Sequence, residues 1–287
     1  MSYQIITDSC ADLTDVQLKQ WDVSCVNLTL RYNGENHSNF SDPAAVKAFY
    51  DEMRNGTMAT TAAANPEEWA AVMRAALDAG RDVLVITFSS GMSTTYQSAV
   101  IASQDLQEEY PERTILVVDS LCAALGQGLL VYHACRKRDE GMDIRELAAW
   151  VEEHRLNLCH WVTVDTFDHL KHGGRVSATS AAMGTLLGIK PLIHVDENGK
   201  LVAVGKPRGK KKALEALVSN MEKGWQPEIS KQVIIGHGDS LEVARELRDL
   251  VAARFPEAEI LIAPIGPVIG AHAGPGVMTV FFWGNNH

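Results

Sequence analysis

Two stretches of this chain carry the residue types that hold an anion. Ser89-Ser90-Gly91-Met92-Ser93-Thr94-Thr95-Tyr96 ends a β-branched apolar run and opens a helical pattern. A helix N-terminus offers unpaired N–H groups and the positive end of the peptide dipoles, so a carboxylate or phosphate can settle there, and Ser93 adds a hydroxyl. The same serines and threonines also serve as plain N-caps. A nucleophile elbow would read G-x-S-x-G, but Thr95 stands where its second glycine belongs. The second stretch, Thr57–Thr61 followed by Ala62-Ala63-Ala64, is a small-residue run before a helix start. Thr60 or Thr61 can donate to a carboxylate there, or simply close a capping loop.

Five other features invite chemistry. Asp8, in Thr7-Asp8-Ser9 at the end of the first apolar run, suits a phosphatase-type nucleophile or a metal ligand, and equally a turn cap. No acidic cluster joins it to complete a metal site. His272 lies in Ile265–Gly276, where four glycines and two prolines predict a fixed loop around one histidine. His237, in Gly236-His237-Gly238-Asp239, is a weaker candidate. Arg175 follows Gly173-Gly174, and a guanidinium is a two-pronged clamp for carboxylate or phosphate, although a surface charge beyond a helix end also explains it. Lys206, Arg208, Lys210, Lys211 and Lys212 form a basic cluster, either a solvated face or a docking surface for an acidic partner.

The elements that position these residues follow from the apolar periodicity. Tyr3–Thr7, Asp82–Phe88 and Thr114–Val118 predict strands, each ending in small polar residues and followed by helical patterns at Pro66–Ala79, Thr94–Glu109, Leu121–Gly141 and Ile144–Asn157. Strand, polar turn and helix in repetition predict a parallel sheet covered by helices, with ligands at the carboxyl ends of its strands. Thr14–Val23 and Asp42–Asn55 predict two further helices. Asp42-Pro43 and Asn65-Pro66 are start signals: an N-cap, then proline in the first turn. From Cys159 the pattern restarts as strand Cys159–Val164, a small-residue helix Ser180–Leu187, and strands Pro191–Val195 and Leu201–Lys206 about an Asp196–Gly199 hairpin turn. Helix Lys211–Lys223, strand Gln232–Gly236, helix Leu241–Phe255, and strands Glu259–Ile262 and Val277–Trp283 follow. The expected architecture is α/β in two domains: 1–158 with a parallel-sheet α/β/α arrangement and 159–287 with a mixed sheet.

Composition narrows the functions. With 46% hydrophobic and 22% charged residues, an ordinary packed core forms without staples. The net charge of −10 repels phosphate backbones and anionic membranes, so general nucleic-acid or membrane binding is disfavoured. The five cysteines form no C-x-x-C pair, which argues against a zinc knuckle or a disulfide framework. The N-terminal residues lack a basic and apolar leader pattern, and the apolar stretch Leu116–Cys135 is broken by Asp119, Gln127 and Gly128. A cytoplasmic setting without stable membrane insertion is expected.

Seven landmarks in order make the chain resemble the DegV family along nearly its whole length. They are Thr7-Asp8-Ser9, Ser90–Ser98, Val118-Asp119-Ser120, Leu170–Ser177, Gly188–Pro191, Lys206–Lys212 and Gly266–Gly276. The resemblance implies two α/β domains with one long-chain fatty acid buried between them. It also implies service as the acyl-carrying subunit of a fatty acid kinase, whose separate catalytic subunit uses ATP to make an acyl-phosphate. No cofactor or metal is implied beyond the bound fatty acid. Carried over by motif, Thr61, Ser93 and His272 would hold the carboxylate, with Thr60, Thr94 and Arg175 near the head group, and the lysine-rich cluster would face the partner. The chain departs from the family pattern at Thr60–Ala64, which lacks the usual serine and proline, and at Thr94, where glycine is common. A serine hydrolase built on Ser93 and His272, with Asp8, Asp119 or Asp239 as the acid, is the competing reading, and an Asp8-dependent phosphatase is a third.

Overall fold

The computed structural model describes residues 2–176 and 188–285. Its first half contains β1 (Tyr3–Asp8), α1 (Asp15–Gln20), β2 (Val23–Val26), β3 (Thr29–Tyr32), β4 (Glu35–His37), α2 (Pro43–Arg54), β5 (Thr60–Ala62), α3 (Pro66–Asp78), β6 (Asp82–Thr87), α4 (Thr95–Glu109), β7 (Ile115–Asp119), α5 (Ala124–Asp139) and α6 (Ile144–His154). Strands β2, β1, β6 and β7 form, in that order, a wholly parallel sheet. Every residue of β1 and β6 is buried, as expected where helices cover both faces and the strands read as unbroken apolar runs. On one face Ile6, Val83 and Val85 pack with Trp69 and Met73 of α3 and Ala99 of α4. On the other, Ile5, Leu84 and Ile86 meet Leu130 of α5 and Leu147 of α6.

The predicted parallel α/β/α layers are therefore present, with two differences. The first predicted helix stops at Gln20, and the chain turns at Asp22, whose φ is +47°, so that Val23 can enter the sheet edge beside Ile5. The Thr57–Thr61 run, expected as a loop, ends in β5, which with β3 and β4 makes a small antiparallel sheet of order β4-β3-β5. Asp42 and Asn65 cap α2 and α3 as predicted, each side chain accepting from the third residue of its helix.

The second half contains β8 (Leu158–Thr163), α7 (Asp168–His172), β9 (Leu192–Val195), β10 (Leu201–Gly205), α8 (Lys210–Gly224), β11 (Gln232–His237), α9 (Leu241–Arg254), β12 (Glu259–Pro264), α10 (Pro267–Ala273) and β13 (Met278–Trp283). The predicted helix Ser180–Leu187 and the last residue of the Leu170–Ser177 landmark lie outside the described residues. Six strands in the order β10-β9-β8-β13-β11-β12 form a mixed sheet in which only β11 and β12 run parallel. The predicted hairpin joins β9 to β10. One face packs through Trp161, Val233 and Phe282 onto Leu217 of α8 and Leu247 of α9. The opposite face looks toward the first half of the chain, where Ile193 and Phe281 join the cluster built on α5.

The segment around His272 is a helix, α10, and not the fixed loop its glycines and prolines predict. Pro267 occupies its first turn, and Gly274, at φ +80°, follows its last residue. Proline at the start and glycine just past the end are helix boundary signals; here they bracket seven residues, too few for a periodicity to stand out.

Candidate functional site

The carboxyl ends of β1 and β6, the inner face of the mixed sheet and α10 enclose one cavity. Its wall is largely apolar, with Leu28, Phe88, Met92, Val162, Val268 and Phe281 among its lining residues. The cavity measures about 90 Å³. Thr61, Ser93, Arg175 and His272 also line it.

These four residues come from four elements. β5 pairs with β3 through Leu30 and Thr61 and through Arg31 and Thr60. Side chains alternate along a strand, so Thr60 is exposed while Thr61 turns to the cavity. Thr61 Oγ1 lies 2.7 Å from Nε2 of His272. The imidazole is held from behind by Gly173, where an added Cβ would stand 2.0 Å from Nδ1. No polar partner is described for Nδ1, which is buried. Burial first, then the positive Arg175 nearby, pulls the His272 pKa down to about 4, so the ring is neutral at pH 7.

Ser93 sits in the turn between β6 and α4. Its N–H donates to the Ser89 carbonyl, and its Oγ accepts from the Thr95 N–H. Arg175 ties this turn to the Gly173-Gly174 turn, with Nε donating to the Met92 carbonyl at 3.1 Å and Nη1 to the Gly173 carbonyl. Thr94 is exposed and does not line the cavity. The exposed Lys206, Arg208, Lys210, Lys211 and Lys212 do not line it either; Lys210 pairs with Glu246 at 2.9 Å.

Glycine at position 91 also has a structural cause. The β9–β10 hairpin docks on the serine turn, the Ser89 hydroxyl donating to the Gly199 carbonyl at 2.7 Å, and a Cβ at Gly91 would fall 2.4 Å from the Asn198 carbonyl oxygen. The two large sheets are thus locked together beside Ser93.

Two buried polar residues that the sequence did not single out, His160 and Thr279, line the same cavity. His160 accepts from the Ala123 N–H at 3.1 Å and bonds the Leu158 carbonyl at 2.7 Å, and Thr279 accepts from the Gly236 N–H at 3.0 Å. Their polar atoms are committed to backbone. The alternation of His160 with Val162 on the inner face of β8 was the available signal, hidden because the strand is apolar on both faces.

The other acids and histidine proposed from sequence are engaged elsewhere. Asp8 is fully buried and accepts from the N–H groups of Cys10 (3.0 Å) and Phe88 (2.7 Å); burial pushes its pKa up to about 6. Asp119 accepts from the N–H groups of Ser90 and Leu121, and Asp239 pairs with Arg54. His237 Nδ1 accepts from the Ser240 N–H. His272 bonds Thr61, not Ser93, and no carboxylate is described behind it. A Ser–His–acid relay needs both links. Among the described residues there is no group of three or more His, Cys, Asp or Glu that could hold a metal, and no helix long and apolar enough to cross a membrane.

What remains is an apolar-walled channel lined also by hydroxyls, a neutral imidazole and a guanidinium. Such a site fits an amphiphile with a polar or anionic head.

A family model described as "Uncharacterised protein, DegV family" matches residues 2–285. A DegV domain-containing protein of Clostridium perfringens is 40% identical over 284 residues, spanning 99% of this chain and 98% of the relative. A Thermus thermophilus DegV family protein, whose structure is described as showing fatty acid binding, superposes with a TM-score of 0.87 at 30% identity, covering 99% of this chain and all of that one. The fold is also shared, at a TM-score of 0.85, 21% identity and 99% coverage of both chains, with the Streptococcus pneumoniae fatty acid kinase (Fak) B3 protein loaded with linoleic acid.

Proposed function

The chain belongs to the DegV family, and from that premise we propose that it binds one long-chain fatty acid in the channel, with the carboxylate at Thr61, Ser93 and His272. The observation that carries this reading is the union of an apolar-walled channel with the Thr61–His272 hydrogen bond on its wall. If His272 donates from Nε2 to Thr61 Oγ1, the threonine hydroxyl is free to donate to a carboxylate oxygen, and Ser93 offers a second hydroxyl. Arg175 supplies the positive charge beside them while anchoring the serine turn.

Energetics divides the labour. Each buried methylene contributes about 0.8 kcal/mol, so a tail of about fourteen contributes roughly 11 kcal/mol before ordering costs. A hydrogen bond to a charged group nets about 1.5–3 kcal/mol. The tail sets affinity, and the polar wall sets where the carboxylate stands.

The biochemical role we assign is that of a non-catalytic carrier in the cytoplasm. It presents the carboxylate to an ATP-dependent fatty acid kinase, which forms the acyl-phosphate, and the exposed Lys206–Lys212 cluster meets that acidic partner. We divide the chain at 158/159, one residue inside β8. A serine hydrolase is disfavoured by the geometry of His272, which faces Thr61. Mass spectrometry of an organic extract, with the native mass of the intact protein beside it, tests the reading. One fatty acid per chain is expected; a ligand-free protein that takes up no added fatty acid overturns it.

A further inference from the structure

The outer face of the mixed sheet carries a second cavity, of about 210 Å³, lined by Thr163, Asp165, Lys190, Lys210, Ser240 and Gly276 among others. It is distinct from the channel. Along β8, His160 and Val162 face the channel, and Thr163 points to the opposite side, where α8 and α9 cover the sheet. The position is the carboxyl end of β8 and β11, where open α/β sheets take their ligands.

Three observations on this cavity converge. Thr163 is only 5% exposed, and its hydroxyl oxygen is buried with no hydrogen-bond partner among the described residues. Buried hydroxyls are usually paired, and this one, on a cavity wall, leaves a donor open to a ligand. Next, two long helices begin here: Lys210, Ala213 and Leu214 from the first turns of α8 and Ser240 and Val243 from the start of α9 all line the wall. Neither helix has a side-chain cap, since α8 is preceded by Gly209 and the Ser240 side chain does not turn back onto α9. Two uncapped helix starts, with their positive dipole ends, therefore stand at the wall of one small space. Finally, two ammonium groups reach it. Lys190 is paired with Asp165 at 2.6 Å, and Lys210 with Glu246 at 2.9 Å. Both pairs are solvent-facing and each holds a flexible lysine, so either ammonium can turn to a stronger acceptor.

A hydroxyl, two sets of helix N–H groups and two ammoniums are a donor set, which repels a metal cation and matches an acceptor-rich anion. We infer that this cavity is an oxyanion site of the phosphate class, taking inorganic phosphate or the phosphate of a small phosphorylated molecule. A tetrahedral oxyanion has enough oxygens to share among Thr163, the helix starts and Lys190, whereas a carboxylate has two. The carboxylate of Asp165 sits at the rim and gives up Lys190 when the anion enters. Val164 lines both cavities, so an occupied outer site touches the wall of the channel.

The test is an amide NMR titration of the full chain with inorganic phosphate, against sodium chloride of equal ionic strength, up to about 10 mM, enough to reveal a site with a Kd of about 1 mM. Saturable shifts are expected at the amides of Lys211, Lys212, Glu242 and Val243. Thr163→Val, which keeps side-chain shape, and Lys190→Gln should each weaken binding at least about tenfold, with the lipid content of the protein unchanged as proof of folding. A simple phosphate monoester, titrated in parallel, separates the sources. Tighter monoester binding assigns the site to a phosphorylated metabolite, and binding of phosphate alone assigns it to the free ion. Absence of saturable shifts with both titrants, or shifts that persist undiminished in both variants, overturns the proposal.

Discussion

Gly173→Ala should disable the proposed head-group capture without replacing any residue assigned to the carboxylate. The backbone at Gly173 is helical, φ −74° and ψ −9°, so alanine meets no conformational objection. In an open site the change would stabilise the protein by about 0.4–1 kcal/mol through the unfolded chain. Here the new Cβ would lie 2.0 Å from His272 Nδ1 and 2.8 Å from Cε1, while ordinary contact starts at 3.4 Å. A rigid imidazole must retreat by about 1.4 Å to make room. Nδ1 faces Gly173 and Nε2 faces Thr61, so the retreat drives the ring onto the threonine hydroxyl and their 2.7 Å bond cannot keep its geometry. The loss of one charge-assisted contact, about 1.5–3 kcal/mol, should raise the Kd for a long-chain fatty acid about ten- to a hundredfold. Overpacking should cost about 1–3 kcal/mol of stability as well. Displacement of a fluorescent fatty acid gives the Kd, and urea denaturation the stability. A fatty alcohol of equal length is the internal control, since its binding rests on the tail. Unchanged affinity for both ligands would refute the role given to His272; equal losses for both would show that the channel itself had collapsed.

Further outcomes follow from the same geometry. Ser93→Ala should retain the fold and the bound lipid but lower acyl-phosphate formation with the partner kinase; an undiminished rate would remove Ser93 from the head-group site. Because the His272 pKa falls to about 4 in the folded chain from about 6.5 unfolded, the unfolded state holds the extra proton between these values. Stability contributed by the neutral ring is full above about 6.5 and drains away as pH drops toward 4, by up to about 3 kcal/mol. His272→Gln should therefore lose less stability than the parent between pH 7 and pH 5 in urea melts, and equal losses would contradict a buried neutral ring. Gly91→Ala drives a Cβ into the Asn198 and Gly199 carbonyls and should cost about 1–3 kcal/mol in the same melts, whereas a neutral result would mean the hairpin does not dock there. Neutralising Lys206, Arg208 and Lys212 together should slow coupling to the kinase while the lipid stays bound; loss of the lipid would assign the cluster to the channel.

The parallel sheet was legible because Tyr3–Asp8, Asp82–Thr87 and Ile115–Asp119 are apolar runs that end in polar turns, a local signal. The β3–β5 sheet was not: its strands are three or four residues long, and Thr60 and Thr61 acquire opposite faces only through pairing with Arg31 and Leu30. For the same reason the sequence did not show which of the two threonines faces the cavity. His272 drew notice through its glycines and prolines, but what fixes its ring is Gly173, 99 positions away and unremarkable in sequence except as half of a glycine pair. Ser93 was visible as a helix-start serine. The hairpin that braces its turn arrives from Asn198 and Gly199 and leaves no local trace. The Thr163 cavity is hidden for a related reason, since two helix starts and a strand end meet there only after the sheet has closed.

The Thr61–His272 hydrogen bond joins residues 211 positions apart. On the ribosome, the strand bearing Thr61 and the turn bearing Ser93 emerge well before α10, and contacts of such long range form late. A nascent chain therefore exposes half of a polar site and half of an apolar groove with nothing to close them, and a fragment lacking the last few dozen residues never acquires the imidazole. On the proposed reading, ligand loading waits on the strand bearing Thr61 and the helix bearing His272 coming together, and a bound molecule would then hold these two distant segments to one another.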